Sequence, residues 1–163
     1  MSDTLAIVPY SEIYRDAFRT LNEAWITKYF RMEEMDHLSL SNPKEYILDK
    51  GGYIAVALLD HQPVGVCALI PSKKDGYDFE LAKMGVSEQA QGRGIGKLLA
   101  RHIIEKAKDL GAKNLYLESN RVLKPALSLY EKLGFVEMVG SKSPYERSDI
   151  QMELCLESFS PGP

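Results

Sequence analysis

The sequence predicts an α+β fold in which about four helices flank a mixed, mostly antiparallel sheet of about six to seven strands. Short apolar runs bounded by turn residues indicate strands, and longer runs with apolar residues at helical spacing lie between them. The elements follow the order β-α-α-β-β-β-α-β-α-β-β, so three strands come in direct succession. Strands in succession, joined by short turns, favour antiparallel pairing.

One strand and three helices are predicted before the sheet continues. Ser11 has the side chain of an N-cap, and Asn42-Pro43 is a typical N-cap and first position of a short helix that ends before Gly51. Apolar residues recur at helical spacing after Ser11, at Tyr14, Phe18, Leu21 and Trp25. The predicted bounds are Leu5–Val8 for the strand and Ser11–Lys28, Met32–Leu40 and about 43–50 for the helices.

The three consecutive strands begin with a hairpin signature. Two apolar runs, Tyr53–Leu59 and Val64–Ile70, are joined by the polar turn Asp60–Pro63. A third strand, Phe79–Val86, follows the polar turn Ser72–Gly76. The second and third strands are therefore predicted to pair.

The period of the apolar residues changes after this third strand. A helix is predicted over 95–110 and ends at Gly111, and a second helix begins near Pro125 and ends at Gly134. Three further strands are predicted at Leu115–Glu118, Phe135–Val139 and Ile150–Leu156.

Composition and charge exclude several classes of protein. The chain has 163 residues, of which 45% are hydrophobic and 26% charged. A disordered chain has fewer apolar groups, so we expect one domain over residues 1–157 and a mobile tail over 158–163. The net charge is −3, and no long basic run occurs. A general nucleic-acid binder needs a basic face, so no nucleic-acid partner is expected.

Compartment and metal content follow from what the sequence does not contain. The N-terminus lacks the basic and apolar regions of a signal peptide, and no apolar run is long enough for a membrane span. A cytoplasmic location without membrane attachment is therefore the default. Cys67, Cys155 and the three histidines show no metal-ligand spacing, so no metal is expected.

The segment Gln91-Gly92-Arg93-Gly94-Ile95-Gly96-Lys97 indicates an anion site at the start of a helix. Glycines let a ligand approach the backbone closely, and the first turn of a helix offers unpaired N–H groups at the positive end of its dipole. A diphosphate fits such a site, and Arg93 and Lys97 add positive charge beside it. The spacing fits neither a P-loop nor a dinucleotide fingerprint, because Lys97 or Leu99 occupies the third glycine position of the latter.

These residues carry a family resemblance. Gln91-x-x-Gly94-x-Gly96 matches the Q/R-x-x-G-x-G/A signature of the GNAT superfamily, the N-acetyltransferases that use acetyl-CoA. Downstream, Leu129–Phe135 (Leu-Tyr-Glu-Lys-Leu-Gly-Phe) resembles the family's L-Y-x-K-x-G-F segment. The resemblance covers about residues 53–156. The chain is also similar to GNAT domains with E-L-A-K-M before the loop and Y-E-R near the end, some of which are fused to MarR-type regulators.

The resemblance implies where acetyl-CoA binds. Its pyrophosphate is expected on the amides of residues 91–96, and its pantetheine arm along Met84, Gly85 and Val86 like an added strand. Separation of this strand from the strand at Leu115–Glu118 would open the wedge for the thioester. Asn120 is a candidate to hold the pantetheine or a water, since Leu123 replaces an asparagine that is frequent in the family.

Two residues are candidates for proton transfer. Tyr130 matches the family's tyrosine general acid, although it also belongs to the apolar stripe of its helix. Glu80 lies eleven residues before Gln91, where histone-type GNATs place a base, and burial would raise its pKa. The alternative for Glu80 is an exposed strand residue or an ion pair. Strand alternation places Glu80, Ala82, Met84 and Val86 on one face and Leu81, Lys83 and Gly85 on the other.

The acceptor site is the least determined part. In the resembled family the first two helices and the last loop form it, so Trp25, Tyr29, Tyr145 and Arg147 are the candidates. Core packing is the favoured interpretation of Trp25 but not of Tyr29, and Arg147 either binds an acceptor carboxylate or pairs with an acid. Glu33, Glu34 and Asp36 are candidate acids near the entrance.

The preferred hypothesis is direct transfer of an acetyl group from acetyl-CoA to the primary amine of a small metabolite, with Glu80 as base and Tyr130 as acid. The alternatives are an acetyl-CoA-sensing or partner-docking module without turnover, and acetylation of a protein N-terminus or lysine. The protein is expected to be a monomer or a homodimer.

Overall fold

The computed structural model describes residues 4–139, 143 and 145–158. In these residues seven strands form one sheet, with the spatial order β1-β2-β3-β4-β5-β7-β6. The strands are β1 Leu5–Pro9, β2 Tyr53–Leu59, β3 Gln62–Pro71, β4 Phe79–Val86, β5 Asn114–Ser119, β6 Val136–Met138 and β7 Ile150–Cys155. The α-helices are α1 Arg15–Tyr29, α2 Glu34–Ser41, α3 Pro43–Tyr46, α4 Ile95–Asp109 and α5 Lys124–Lys132. The predicted α+β class and mostly antiparallel sheet are confirmed.

The helices cover both faces of the sheet. Phe18 and Ile26 of α1 and Leu40 of α2 are fully buried against one face, and the same core contains Ile54 and Val56 of β2. The other core contains the apolar stripe of α4, Tyr130 of α5 and Leu133 at the end of α5. It also contains the β2 residues that alternate with Ile54 and Val56 along the strand. β2 is therefore buried on both faces, which explains why its sequence is continuously apolar rather than alternating.

The β2–β3 hairpin is tighter than the sequence predicts. Asp60 and His61 both have positive φ, +51° and +70°, and β3 begins at Gln62. Two consecutive left-handed residues form the type of two-residue turn that matches the twist of paired strands. The predicted four-residue connection is therefore shortened to two residues, while the predicted pairing of β3 with β4 is confirmed.

The strands β4 and β5 separate after a short parallel contact. Their register contains two pairs, Phe79 with Leu115 and Glu80 with Tyr116. Beyond Glu80, β4 continues on β3 and β5 continues on β7. The expected wedge between these two strands is therefore present, and Glu80 lies where it opens.

A β-bulge in β4 changes which side chains share a face. Lys83 has a φ of +54°, and the register with β3 shifts between Ala82 and Gly85. The predicted alternation is therefore wrong after Ala82, because the extra residue inverts it. Met84 packs with the α4 core. Glu80 is paired with Ile70, which belongs to the α1 core on the other face of the sheet. Lys83 lies on that same face as Glu80, because it contacts Asp36 of α2.

Two further predictions concern the C-terminal tail and the absence of a membrane span. Of the predicted mobile tail, residues 159–163 lie outside the described part of the chain, and the backbone of Ser158 ends a short 3-10 turn. Within the described part, none of the helices has the length and apolar character that a membrane crossing requires.

Candidate active site

One cleft of about 770 Å³ collects nearly all of the residues singled out from the sequence. It lies where β4 and β5 separate, between α1 on one side and the start of α4 and α5 on the other. The candidates that line it are Trp25, Tyr29, Glu80, Met84, Gly85, Val86, Gln91, Gly92, Gly94, Ile95, Gly96, Lys97, Asn120, Tyr130, Tyr145 and Arg147. Arg93 is exposed on the same loop but does not line the cleft.

The loop end of the cleft, residues 91–97, is formed by backbone. Gly92 and Gly94 have φ values of +85° and +75°, a region that favours glycine, and Gly94 is the N-cap of α4 without a side-chain cap. A Cβ at either glycine would meet nothing within 4 Å, so open space lies over the loop. The first turn of a helix has N–H groups without intrahelical partners, and those of α4 begin beside this space. The arrangement fits an anion such as a diphosphate.

The edge of β4 continues the cleft from the loop towards Glu80. From Leu81 to Val86 this edge has no ladder with β5 among the described residues. Unpaired strand edges accept an extended ligand through backbone hydrogen bonds. Met84, Gly85 and Val86 therefore lie where an arm that starts at the loop end can pair with the strand.

Tyr130 is both a core residue and a cleft residue. Only 7% of it is exposed, and its ring packs edge-on against Phe135 at 5.9 Å between centroids. Burial raises the pKa of Tyr130 above its ordinary value, and the neighbouring Cys67 thiol acts in the same direction. The phenol therefore stays protonated at neutral pH, as a proton donor must. The two interpretations of Tyr130 given by the sequence are compatible.

Glu80 has the properties of a proton acceptor that titrates near neutral pH. Burial, supported by the nearby negative charge of Glu118, raises the pKa of Glu80 to about 7, although Lys83 and a hydrogen bond from Tyr116 act in the opposite direction. The Tyr116 hydroxyl donates to Oε1 of Glu80 at 3.2 Å. This partly buried, hydrogen-bonded carboxyl differs from an exposed strand residue, which is one alternative interpretation of Glu80.

A charged cluster closes the opposite end of the cleft. It consists of Glu33, Asp36, Lys83, Tyr145 and Arg147. Asp36 is fully buried and bonds Arg147 in a bidentate way, with Nη1–Oδ2 at 2.6 Å and Nη2–Oδ1 at 2.7 Å. Lys83 Nζ donates to Asp36 Oδ1 at 3.1 Å and to the Tyr145 hydroxyl at 2.9 Å. Arg147 Nη1 also contacts Glu33 Oε2 at 3.1 Å.

Asp36 is the centre of this cluster. Burial by itself raises the pKa of Asp36, but the hydrogen bonds from Arg147 and the charge of Lys83 outweigh it and hold the pKa at about 2. The expectation that Asp36 is an acid near the entrance is therefore wrong. Its sequence signal is local: Glu33 and Asp36 form a reciprocal capping box at the start of α2. Nothing in the sequence pairs Asp36 with Lys83 or with Arg147, which lies 111 positions away.

The remaining candidates either line the cleft or stabilise the backbone beside it. Trp25 lines the cleft, and its indole N–H donates to Asn22 Oδ1 at 3.1 Å. Tyr29 also lines the cleft and is half exposed. Asn120 reaches the cleft, but its amide donates to the Arg147 carbonyl at 2.7 Å and its Oδ1 accepts from the Val122 N–H at 2.9 Å. Those contacts fix the backbone beside the cleft.

Comparisons with known proteins agree with this geometry. The model of the acetyltransferase (GNAT) family matches residues 10–135. N-acetyltransferase 8B of Rattus norvegicus is 33% identical over 95 residues, which are 56% of this chain and 43% of that protein. The N-acetylaspartate synthetase of Homo sapiens is 32% identical over 124 residues, which are 76% of this chain and 40% of that protein. The chain thus spans less than half the length of these relatives.

Solved structures show the same fold. An acetyltransferase of the GNAT family from Staphylococcus aureus Mu50 superimposes with a TM-score of 0.82 at 22% identity, over 94% of this chain and 99% of that chain. The yncA acetyltransferase of Salmonella typhimurium, solved with its cofactor acetyl-CoA, gives a TM-score of 0.75 at 18% identity, over 97% and 98% of the two chains. With the family model matching most of the chain, the conclusion is that this protein belongs to the acetyltransferase (GNAT) family.

Proposed function

We propose that this protein is an acetyl-CoA-dependent N-acetyltransferase that acts on the primary amine of a small metabolite. The observation that carries the proposal is the position of Glu80, a partly buried carboxyl at the point where β4 and β5 separate, which accepts a hydrogen bond from the Tyr116 hydroxyl. Glu80 and Tyr130 line one cleft with the start of α4, so a proton acceptor, a proton donor and an anion site are brought together.

The loop end of the cleft fits the diphosphate of acetyl-CoA. Gly92 and Gly94 leave open space above the loop, and the N-terminus of α4 opens beside it. Lys97 lines this end and brings a positive charge. A Cβ at Gly85 would lie 2.7 Å from the Leu21 carbonyl, so glycine there allows β4 to approach α1 closely. Among the described residues β4 has no ladder with β5 beyond Glu80, so its edge at Met84 and Val86 is open to the pantetheine arm.

Three proton transfers accompany the reaction. When bound, acetyl-CoA supplies a thioester whose acetyl carbon is the electrophile. Glu80 accepts the proton that the acceptor ammonium must lose before its nitrogen can form the new C–N bond, either directly or through a water. Tyr130 donates its phenolic proton to the sulfur that keeps the electrons of the broken C–S bond. The resulting phenolate takes up the second proton, which the acceptor nitrogen loses as the neutral amide forms. Each residue holds the charge state that its role requires, since Tyr130 stays protonated and Glu80 is largely ionised above pH 7.

Thiol release tests the proposal. Purified protein is incubated with acetyl-CoA and a panel of small amines, one N-terminal peptide and one lysine peptide, and free thiol and product mass are measured. We expect release with at least one small amine and a product heavier by one acetyl group. If calorimetry shows that acetyl-CoA binds but no acceptor causes thiol release, the proposal is overturned and a sensing module is left. Release with the peptides alone would replace the small amine by a protein acceptor. The cytoplasmic location and the oligomeric state remain predictions.

A further inference from the structure

Arg147 has hydrogen-bonding capacity that the charged cluster does not use. A guanidinium carries five N–H groups, and both groups of Nη1 and one of Nη2 are directed at Glu33 and Asp36. Among the described residues none accepts from Nε–H or from the second N–H of Nη2. These two groups lie side by side on one edge of the guanidinium, and that edge has the spacing of a carboxylate.

The position of the guanidinium is fixed on its other sides. Its carbon lies 4.5 Å from the centroid of the Tyr145 ring and 5.8 Å from that of Trp25, and both rings line the cleft. The bidentate contact with Asp36 holds the adjacent edge, formed by Nη1 and Nη2, and only 12% of the Arg147 side chain is exposed. A ligand therefore meets a pre-oriented donor pair, which lowers the entropic cost of binding.

The charges at this end of the cleft favour a ligand that carries both signs. Within the cluster, Lys83 and Arg147 balance Asp36 and Glu33. Beside it, Glu80 and Glu118 present two further carboxyl groups to the same cleft. A simple anion would add uncompensated charge to this partly buried region, and a zwitterion adds none. Its ammonium group suits Glu80 and Glu118, and its carboxylate suits the open edge of Arg147.

We propose that the acceptor is a free amino acid whose carboxylate binds to Nε–H and Nη2–H of Arg147 while its amine faces Glu80. The role of the amine rests on the proposed function, and the carboxylate site rests on Arg147 alone. A peptide lacks a carboxylate beside its N-terminal amine, and a simple amine lacks one altogether, so Arg147 discriminates against both.

The single tryptophan of the chain makes a binding test possible without turnover. Trp25 lies at the guanidinium, so its fluorescence reports on this end of the cleft. Wild-type protein with CoA bound is titrated with the twenty L-amino acids, β-alanine and γ-aminobutyrate, and each acid is compared with its carboxamide. We expect a saturable change with at least one acid and at least tenfold weaker binding of the matched carboxamide. Equal binding of acid and carboxamide, or no response to any acid, overturns the inference.

Two variants separate the effect of the donor pair on binding from the effect of the positive charge. Arg147→Lys keeps a cation opposite Asp36 but loses the donor pair, so the preference for acid over carboxamide should fall to about twofold or less while CoA affinity is unchanged. Arg121→Lys is the matched control, because Arg121 is an exposed arginine bonded through Nη1 and Nη2 to Glu137 and does not line the cleft. An unchanged preference in Arg147→Lys contradicts the assignment. If that variant fails to fold, the wild-type comparison of acid and carboxamide still decides.

The outcomes also separate this inference from the proposed function. An acid that binds in preference to its carboxamide but releases no thiol from acetyl-CoA contradicts the proposed function and leaves the carboxylate site in place. Equal rates of thiol release with acid and carboxamide contradict the carboxylate site and leave the proposed function in place.

Discussion

The two ends of the cleft use different kinds of chemical group. At the loop end, the groups that face a ligand belong to the backbone: Gly92 and Gly94 hold left-handed φ values, and the first turn of α4 provides N–H groups. At the charged end, the side chains of Asp36, Lys83 and Arg147 come from three distant segments and are largely removed from water. The loop end is thus contiguous in sequence and the charged end is not. We expect substitutions at the charged end to affect stability and turnover strongly, and those at the loop end to affect mainly the affinity for acetyl-CoA.

The largest expected effect is that of Asp36→Asn on stability. An amide cannot neutralise Lys83 and Arg147, and both would stay buried without their shared carboxylate. Breaking a buried ion pair by removing one partner costs about 3–5 kcal/mol. We expect the free energy of unfolding in urea to fall by about that amount. Glu34→Gln, an exposed acid on the same helix, is the control and should change it by less than about 0.5 kcal/mol.

The pH dependence of stability tests the same residue. The folded state lowers the pKa of Asp36 from 3.8 to about 2. The resulting stabilisation is complete above pH 3.8 and is lost as the pH falls towards 2, because the folded state must then take up a proton that the unfolded state already holds. Wild-type protein should lose this increment between about pH 4 and 2, and Asp36→Asn should not. Equal stability of the two proteins at neutral pH would contradict a central role for Asp36.

The second largest effect is expected for Glu80→Gln on turnover. General base catalysis contributes about 10²- to 10⁴-fold, so kcat/KM at pH 7.5 should fall by at least about 10²-fold. In wild-type protein kcat/KM should rise with pH through about 7, as Glu80 ionises, and this rise should be absent from the variant. CoA affinity, measured by calorimetry, should be unchanged, because the loop end is intact. Glu131→Gln, an exposed acid of α5, is the control, and a retained pH dependence in Glu80→Gln would assign it to another group.

Tyr130→Phe should have the next effect, a fall in kcat of about 10²-fold with acetyl-CoA affinity nearly unchanged. Phenylalanine preserves the contact with Phe135 and removes only the proton donor. Tyr46→Phe, on the other face of the sheet, is the control and should leave kcat unchanged. Single-turnover measurements on both variants check the result, and unchanged turnover in Tyr130→Phe would reduce Tyr130 to a packing residue.

The same contrast explains what the sequence predicts and what it does not. The pairing of β3 with β4, the start of α4 after Gly94 and the separation of β4 from β5 follow from local patterns or from the family resemblance. The Lys83 bulge does not, because alternation assumes one residue for each position of the neighbouring strand, and no glycine or proline marks the extra residue. The expectation that Asp36 lies near the entrance fails for a related reason: its partners lie on β4 and after residue 144, and local periodicity carries no information about such contacts.

At the loop end, substitutions of two glycines separate the effect of backbone strain from the effect of helix propensity. Gly94→Ala forces an L-residue into a φ of +75°, which costs about 1–2 kcal/mol, so we expect acetyl-CoA binding to weaken by about tenfold. Gly96 lies inside α4, where an added Cβ would make an ordinary contact at 3.6 Å from Leu129. Gly96→Ala should therefore change the affinity by less than about threefold and is the matched variant. Calorimetric titration with CoA measures both, and equal effects would show that the conformation of Gly94 is unimportant.

The smallest effect, a shift of the pH profile, tests how the surroundings of Glu80 set its pKa. Tyr116→Phe removes the hydrogen bond that favours the ionised carboxylate, and one hydrogen bond is worth about 0.5–1.5 kcal/mol, or roughly half to one pH unit. The acidic limb of kcat/KM should therefore move from about 7 to higher pH. Glu118→Gln removes a negative neighbour and should move it to lower pH. Tyr77→Phe is the control, because Tyr77 packs on Tyr116 but donates to Glu153, so the limb should stay in place. Shifts of opposite sign in the first two variants would assign the limb to Glu80, which accepts a hydrogen bond from Tyr116 and lies near the negative charge of Glu118.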